Sequence, residues 1–296
     1  MDIVVIYKKS MYELYYLDKT HSSGLRKNIS QHKAFCACLR KSHEQHQKTL
    51  ARVEQALKKK GLAYKKIWRG AIIKDIHADL VICVGGDGTL LNASHFLKKG
   101  ELFLVNSDPG QSESFYSSCT KDDFEKKLGL YLTGRLHKTK IHRLEIILDN
   151  KELKEFALND LLIAHCNPAV ISRYSIKVGT VKEEQKSSGI WIAAPGGTTA
   201  AIQSAGGRPL PITARKFEYL VRELYHGKNR LRLVNGILNE GEELSLTSKM
   251  RKGKIFIDGR YVWYDFPLFS TVQVRLAKEP ITVLGFEEKK RKRYVL

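Results

Sequence analysis

An aspartate stands among three glycines in the stretch Gly85–Thr89, which reads GGDGT and follows an apolar run. Glycines allow a phosphate to approach the backbone closely, and the N–H groups of Gly88, Thr89 and Leu90 can receive it if a helix begins there. An acid at this position suits a base that takes a proton from a hydroxyl, or a contact with Mg²⁺ that arrives with ATP. The stretch therefore predicts phosphoryl transfer at Asp87. The alternative is a strand-to-helix turn in which Asp87 caps the helix.

A second stretch, Lys186–Gly207, combines small residues with hydroxyl groups and reads KSSGIWIAAPGGTTAAIQSAGG. A buried strand leads into a Pro-Gly-Gly turn, after which the two threonines begin a helix. Small side chains leave room for a flat aromatic ring or a ribose, and the hydroxyls of Thr198, Thr199 and Ser204 can form hydrogen bonds with it. The alternative is a small-residue helix that packs tightly on a sheet.

Two shorter polar stretches are further candidates for ligand contact. The Asn-Asp pair of Ala157–Asp160, ALND, lies in a strand-like run where β-propensity disfavours it, so it indicates a turn or a polar contact. The loop Val105–Ser114, VNSDPGQSES, follows an apolar run and contains Asn106. Each stretch also fits an ordinary connection between elements. The histidines and cysteines are not spaced as a metal site.

The elements around GGDGT predict a doubly wound α/β domain with a mostly parallel sheet, because apolar runs alternate with helical periodicity. Strands are expected at 3–7, 62–68, 80–84 and 102–106, and helices at 30–60, 93–99 and 124–133. Ligands in such folds bind beyond the C-terminal ends of the strands, which is where GGDGT would lie.

From about residue 136 short strands with turn signals predict a β-rich, sandwich-like second domain. Strands are expected at 143–148, 155–164, 172–178, 189–194, 245–247, 254–257 and 271–276, with helices at 199–205 and 216–225 and a hairpin turn at 257–260. We therefore place an α/β nucleotide-binding domain at 1–135 and a β-rich domain at 136–284. The tail at 285–296 is expected to pack back on the first domain.

Composition indicates a soluble globular protein, since the 296 residues are 43% hydrophobic and 28% charged. No apolar run reaches the roughly 20 residues that a bilayer requires, and no signal peptide precedes the first strand. The five cysteines form no zinc pattern, so a cytoplasmic protein with reduced thiols is expected. Much of the excess behind the net charge of +20 lies in short basic runs without a nucleic-acid-binding motif, which favours phosphate-rich substrates over specific nucleic acid.

The sequence resembles the NAD kinase family in three motifs and in their order and spacing: GGDGT, the Asn159-Asp160 pair and PGGTTAAIQSAGG. The members of that family carry GGDGT, an Asn-Glu pair and TPTGSTAYxxSAGG. The agreement runs from about residue 80 to residue 207. GGDGT alone is shared with diacylglycerol, sphingosine and phosphofructo-kinases, whereas the Thr-Ala and Ser-Ala-Gly-Gly elements select NAD kinase. The stretches NSDPGQSES and KSSG look more like the branch that includes the mitochondrial-type enzymes.

The resemblance implies that the γ-phosphoryl group of ATP moves to the 2′-hydroxyl of the adenosine ribose of NAD, which yields NADP. Asp87 would hold that hydroxyl and act as its base. Asn159 and Asp160 would bind adenosine, whereas Thr199 and Ala200 would bind the adenine and amide groups. The residues expected to bind NAD or the nucleotide are Gly86, Gly88, Thr89, Asn106, Asn159, Asp160, Ser188, Thr199, Ala200 and Ser204.

The resemblance also implies Mg²⁺ bound with ATP rather than in a protein cage, no tightly bound organic cofactor, and a homodimer or homotetramer. The chain departs from the family pattern at Asp160 for Glu, Ser188 for Asp, Gly196 for Thr and Ala201 for Tyr.

Two other functions stay open. One is a lipid kinase of the same superfamily, which would need a more apolar acceptor cleft, and the other is a nucleotide-binding regulator without catalysis.

Overall fold

The computed structural model describes residues 1–18, 23–72, 74–227 and 230–286. The chain divides into two compact units. The first comprises Met1–Thr139 and the described residues from Thr282 onward, and the second comprises Lys140–Ile281. The basic run at 289–293, and all of the predicted tail after residue 286, lie outside the described residues.

Helices belong mainly to the first unit, and strands dominate the second. The α-helices are α1 (Ser23–Gln31), α2 (Lys33–Lys59), α3 (Asp87–Phe96), α4 (Phe124–Leu132) and α5 (Ala201–Ser204). The strands are β1 (Ile3–Tyr7), β2 (Lys65–Trp68), β3 (Ile76–Gly85), β4 (Leu97–Asn106), β5 (Lys138–Ile141), β6 (Leu144–Leu148), β7 (Lys151–Glu152), β8 (Asp160–His165), β9 (Ser172–Val178), β10 (Val181–Ser187), β11 (Ile190–Ala193), β12 (Lys216–Val221), β13 (Asn235–Asn239), β14 (Leu244–Ser248), β15 (Gly253–Ile257), β16 (Val262–Phe266), β17 (Thr271–Leu276) and β18 (Ile281–Leu284).

A six-stranded sheet in the order β2-β1-β3-β4-β18-β5 forms the centre of the first unit. β1 runs parallel to β2 and β3, and β4 runs parallel to β3 and β18. Successive residues such as Val4 and Val5 point to opposite faces and are both buried, as expected for a parallel sheet covered on two sides. Leu50, Val53 and Leu57 of α2 pack against one face. The predicted α/β domain with a mostly parallel sheet is confirmed.

Two six-stranded antiparallel sheets form the second unit. Their orders are β10-β9-β14-β17-β6-β7 and β13-β12-β11-β8-β15-β16. Every second residue of their central strands enters one shared apolar core, as Ile146 and Val274 do from one sheet and Ile163 and Ile192 from the other. The alternation of buried and exposed residues along antiparallel strands produces this two-layer packing. The predicted β-rich, sandwich-like domain is confirmed.

Several predicted helices were wrong in type or extent. The stretch 216–225 is strand β12 as far as Val221, because its spaced apolar residues lie in a strand that pairs with β11 and β13 and is buried on both faces. The predicted helix at 93–99 begins instead at Asp87, and its last residues belong to β4. The 30–60 stretch divides into α1 and α2. In the 199–205 stretch only Ala201–Ser204 is α-helical, after a 3₁₀ turn at Pro195–Thr199.

Gly100 is required where β4 passes β3. Its φ of +125° lies in a region that side-chain-bearing residues rarely adopt, and an added Cβ would lie 1.9 Å from the carbonyl oxygen of Ala78. Gly134, which follows α4, has a φ of +70° but no atom within 4 Å of an added Cβ. The two positions therefore separate backbone strain alone from strain combined with a steric clash.

The difference between Gly100 and Gly134 predicts how much alanine at each position destabilises the protein. Gly134→Ala should lower the free energy of unfolding by about 1 kcal/mol, the cost of a left-handed backbone for an L-residue. Gly100→Ala should lower it by about 3 kcal/mol or more, because the backbone must also move away from Ala78. Urea denaturation followed by circular dichroism measures both values. Equal losses for the two variants would contradict the steric clash.

Candidate functional site

The GGDGT stretch connects β3 to α3 at the C-terminal end of the parallel sheet. β3 ends at Gly85, Gly86 occupies the N-cap position and α3 begins at Asp87. The N–H of Thr89 donates to the carbonyl of Gly86 at 2.8 Å, so this N–H already has a partner. Gly88 is exposed at the first turn of the helix. The stretch therefore presents the positive end of a helix dipole, as the sequence predicted.

Asp87 is half-buried, and its carboxylate orients towards the loop after β4. Oδ2 accepts a hydrogen bond from the N–H of Phe115 at 2.7 Å, and Oδ1 accepts one from the N–H of Tyr116 at 2.8 Å. Two backbone donors hold the plane of the carboxylate in one orientation. A fixed orientation is one requirement of a general base.

Two glycines of GGDGT are needed for packing inside the loop. An added Cβ on Gly85 would lie 2.2 Å from Oγ1 of Thr89, and one on Gly86 would lie 3.0 Å from Oγ of Ser112. Thr89 is 1% exposed, so its side chain fills the space that Gly85 leaves. The Thr89 hydroxyl and its bonded N–H are both buried, and its contact with the nucleotide stays a prediction.

Basic residues that the sequence analysis missed follow β1 and β2 directly. Burial lowers the pKa of the Lys8 ammonium, the Asp108 carboxylate opposes this lowering, and the charge of Arg69 adds to it. Nη1 of Arg69 lies 3.5 Å from the position of a Cβ on Gly88, which places the guanidinium at the start of α3. The available signal was position, since both residues come immediately after strands of a parallel sheet.

Asn106 shapes its own loop. It is 4% exposed, its Nδ2 donates to the carbonyl of Ser112 at 2.8 Å, and its Oδ1 accepts the N–H of Asp108 at 3.0 Å. The amide therefore closes the loop whose end supplies the N–H donors to Asp87. The side chain therefore has a loop-forming role, and the predicted contact of Asn106 with the nucleotide stays a prediction.

The Asn-Asp pair lies at the start of β8 in the second unit. Asn159 is half-buried immediately before the strand, and Asp160 is its first residue. Asp258, in the turn after β15, accepts the N–H groups of Leu158 at 2.9 Å, Asn159 at 2.8 Å and Asp160 at 3.0 Å. The sequence analysis predicted a hairpin turn around Asp258, and the structure confirms it, but nothing in the sequence predicted this contact.

Asp160 is a buried acid beside another acid. It is 8% exposed, and burial, together with the nearby charge of Asp258, raises the pKa of Asp160 to about 7. A carboxyl group with such a pKa is partly protonated near neutral pH, so it can donate as well as accept a hydrogen bond. Perturbed acids of this kind are frequent at functional sites, which supports the prediction for this position.

The Pro-Gly-Gly turn meets the Asn-Asp pair. The N–H of Ala194 donates to the carbonyl of Asn159 at 2.8 Å, and an added Cβ on Gly197 would lie 2.0 Å from that same oxygen. Thr199 and Ala200 are half-buried at the end of this turn. The fold thus brings two of the predicted motifs together, and Gly197 is a further residue that the sequence analysis did not select.

Other residues of the predicted motifs lie in positions that are less favourable for contact with a ligand. The Thr198 hydroxyl is buried, donates to the carbonyl of Pro195 at 2.9 Å and accepts the N–H of Leu210 at 2.9 Å, so it stabilises the turn rather than facing a ligand. Ser204 is exposed at the end of α5. Ser188 lies before β11, whereas Asp160 pairs with Ala193 at the other end of that strand. The antiparallel register therefore separates Ser188 from the Asn-Asp pair within the unit.

Across the described ranges, no group of three or more His, Cys, Asp or Glu side chains could hold a metal ion. In the same residues, no helix has both the length and the apolar character needed to cross a membrane.

Sequence comparison links the chain to nicotinamide-dinucleotide kinases. No protein-family model matches the chain. It is 31% identical over 253 residues to a probable NADH kinase of Oryza sativa subsp. japonica, covering 77% of this chain and 78% of the relative. It is 34% identical over 255 residues to an NADH kinase of Arabidopsis thaliana, covering 77% and 80%. An NAD kinase of Methanoculleus marisnigri is 26% identical over 223 residues, covering 71% and 76%.

Solved structures share the fold. The crystal structure of an NAD kinase from Archaeoglobus fulgidus in complex with ATP matches with a TM-score of 0.69 and 17% identity, over 100% of both chains. The structure of yeast NADH kinase complexed with NADH matches with a TM-score of 0.69 and 16% identity, over 99% of this chain and 86% of the other. These structural matches show the same fold, in which an α/β unit is followed by a β-rich unit.

The raised pKa of Asp160 predicts a pH-dependent stability. An unfolded aspartate has a pKa of about 3.9, so between about pH 4 and pH 7 the unfolded chain loses this proton first, and the folded state loses stability as the pH rises. Asp160→Asn removes this titration. We expect the stability of the variant relative to the wild type to increase between pH 4 and pH 8, by about 4 kcal/mol at most. Urea denaturation at both pH values measures it, and a pH-independent difference would contradict the buried, coupled acid.

Proposed function

The chain belongs to the NAD kinase family, and from this premise we propose that it transfers the γ-phosphoryl group of ATP to the 2′-hydroxyl of the adenosine ribose of NAD. A bond forms between the ribose 2′-oxygen and the γ-phosphorus, and the bond from that phosphorus to the β–γ bridging oxygen breaks. The products are NADP and ADP. The proton of the hydroxyl passes to a carboxylate, for which Asp87 is the candidate.

The observation that carries this proposal is the orientation of Asp87. Its two oxygens are held by the N–H groups of Phe115 and Tyr116 at the C-terminal end of the parallel sheet. Each carboxylate oxygen can accept a second hydrogen bond, so a substrate hydroxyl can still donate to it. Orientation of this base before the reaction lowers the entropy cost of the proton transfer.

The donor nucleotide is assigned to the start of α3. Exposed Gly88 leaves the first turn of the helix open, and a phosphate there would meet backbone N–H groups and the positive end of the dipole. Lys8 and Arg69 add positive charge at the same edge of the sheet. Mg²⁺ belongs to the substrate in this proposal, because it arrives bound to the phosphates of ATP.

The acceptor dinucleotide is assigned to the second unit's Asn-Asp pair and to the turn that contacts it. Asn159 and Asp160 would hydrogen-bond adenosine, while Thr199 and Ala200 would contact the adenine and amide groups, with Ser204 at a polar edge. The half-buried positions of Asn159, Thr199 and Ala200 support this assignment, because each can contact a ligand without leaving the fold. The role of Ser188 at the nicotinamide side stays a prediction.

The proposed assembly rests on the resemblance alone, and the proposed location rests on the cysteine content of the sequence. We propose a homodimer or homotetramer in the cytoplasm, without specific nucleic-acid or membrane partners. The relatives reported above are named NAD or NADH kinases, which favours a dinucleotide over a lipid acceptor. Light scattering after size-exclusion chromatography measures the assembly directly.

Asp87→Asn tests the proposed base. The amide has the same shape but cannot take the proton, so NADP formation from NAD, ATP and Mg²⁺ should fall by at least about 100-fold. Asp123→Asn is the matched control, because Asp123 also accepts a backbone N–H, from Thr120 at 2.8 Å, and should keep full activity. NADP is measured by a coupled dehydrogenase assay. A wild type that makes no NADP would refute the proposed reaction, whereas an active Asp87→Asn would refute only the role of Asp87.

The acceptor preference can be tested with the same preparation. Two of the relatives are NADH kinases, and NADH carries one negative charge more than NAD because its nicotinamide ring is neutral. For a chain with a net charge of +20 we expect kcat/KM to be about 10-fold higher with NADH than with NAD at low salt. The ratio should decrease at high ionic strength, since salt screens charge. A preference for NAD, or a ratio unaffected by salt, would contradict this expectation.

A further inference from the structure

Three successive backbone N–H groups converge on one carboxylate in the second unit. Oδ1 of Asp258 accepts the N–H groups of Asn159 and Asp160 at 2.8 and 3.0 Å, and Oδ2 accepts that of Leu158 at 2.9 Å. Consecutive N–H groups arranged in this way form a concave anion site. In most such sites a ligand supplies the anion, whereas here a side chain from a distant part of the sequence supplies it.

Asp258 also donates a hydrogen bond to the segment whose N–H groups it accepts. The N–H of Asp258 donates to the carbonyl of Asp160 at 2.9 Å, so the turn and the start of β8 bind each other through both backbone and side chain. Asp258 has a φ of 47°, in the left-handed region that aspartate tolerates better than most residues. Its side chain therefore leaves the hairpin and reaches across to residues 158–160.

Asn159 is held from the opposite side as well. Its carbonyl accepts the N–H of Ala194, and Gly197 packs so closely that an added Cβ would lie 2.6 Å from the Cα of Asn159. The backbone of Asn159 is thus bound by Asp258 at its N–H and by the Pro-Gly-Gly turn at its carbonyl. With both peptide groups fixed, the side chain can leave the backbone in only a narrow range of directions.

Charge supports the same arrangement. Arg143 is 5% exposed, burial lowers the pKa of its guanidinium to about 10, and the charge of Asp258 opposes that lowering. The guanidinium also lies over the ring of Phe156, 4.5 Å from its centroid. Asp258 thus has a buried cation near it, in addition to the three N–H groups that it accepts.

We propose that Asp258 is a positioning residue for the acceptor dinucleotide, because its carboxylate fixes the backbone from which Asn159 and Asp160 present their side chains. The inference rests on the proposed function, in which these two side chains bind the adenosine part of NAD. Asp258 itself does not touch the substrate in this proposal. Its loss should therefore weaken binding of the dinucleotide without a corresponding loss in the binding of ATP.

A second turn aspartate in the same unit provides the matched control. Asp149, between β6 and β7, has a φ of 48°, accepts the N–H of Thr271 at 2.7 Å and donates its own N–H to the carbonyl of Thr271 at 2.9 Å. It repeats the reciprocal contact of Asp258 but binds a strand that carries none of the predicted site residues. Effects of Asp149→Ala therefore report the loss of a turn contact alone.

The experiment compares steady-state kinetics of the full chain as wild type, Asp258→Ala, Asp258→Asn and Asp149→Ala. We expect Asp258→Ala to raise KM for NAD about 10-fold, with kcat and KM for ATP within about 2-fold of the wild type, the pattern of lost ground-state binding. Asp258→Asn keeps one acceptor oxygen and should give an intermediate KM. Asp149→Ala should lower the melting temperature and leave both KM values unchanged.

A double-variant comparison tests whether Asp258 acts through Asn159. If it does, adding Asp258→Ala to Asn159→Ala should raise KM for NAD by much less than the single change does in the wild type. Thermal stabilisation by NAD without ATP supplies a second readout, and it should decrease in both Asp258 variants but not in Asp149→Ala.

The outcomes separate this inference from the proposed function. A wild type that forms no NADP refutes the proposed function. If the wild type is active, three results refute the positioning role: an unchanged KM for NAD in both Asp258 variants, equal increases in KM for NAD and ATP, or additive effects with Asn159→Ala. Failure of both Asp258 variants to fold while Asp149→Ala folds would also refute it, because Asp258 would then be required for the fold itself.

Discussion

A carboxylate that accepts consecutive backbone N–H groups from a loop distant in sequence is the interaction on which both candidate sites depend. Asp87 binds Phe115 and Tyr116 in the first unit, and Asp258 binds residues 158–160 in the second. Loops beyond strand ends lack the partners that a sheet provides, so their N–H groups need another acceptor. An acid supplies two oxygens at once, and its charge strengthens each bond.

The acceptance of backbone N–H groups has different consequences for Asp87 and Asp258. Asp87 is half-buried, so the N–H donors hold it oriented while part of the residue stays exposed to solvent. Asp258 accepts three N–H groups and its charge acts on the buried Arg143, so it holds neighbouring backbone in place. Its charge contributes to the raised pKa of Asp160, after the larger effect of burial. Asp258 therefore both accepts the N–H groups of residues 158–160 and contributes to the raised pKa of Asp160.

The parallel sheet explains why Lys8, Arg69 and the GGDGT loop lie at one edge of the first unit. β1, β2, β3 and β4 all end on the same side, so Lys8, Arg69 and the GGDGT loop lie together although they are far apart in sequence. The helix that begins at Asp87 adds its dipole to the same edge. A phosphate-rich substrate is the ligand that this combination of charge and backbone N–H groups favours.

The sequence alone determined the alternation of elements and the two fold classes, because these depend on local periodicity. It also identified GGDGT as a strand-to-helix connection and placed Asp87, Asn159 and Thr199 in candidate motifs, because these depend on residue type. Only the tertiary structure decided which side chains are available. It buried Thr89 against Gly85 and used Asn106 and Thr198 inside their own loops. It also placed Ser188 at the far end of β11 and formed a strand, not a helix, from residues 216–221. It also brought Asp258 to residues 158–160, about 100 residues away in the chain. Such contacts depend on strand order and register, which bring together residues whose local sequences carry no information about each other.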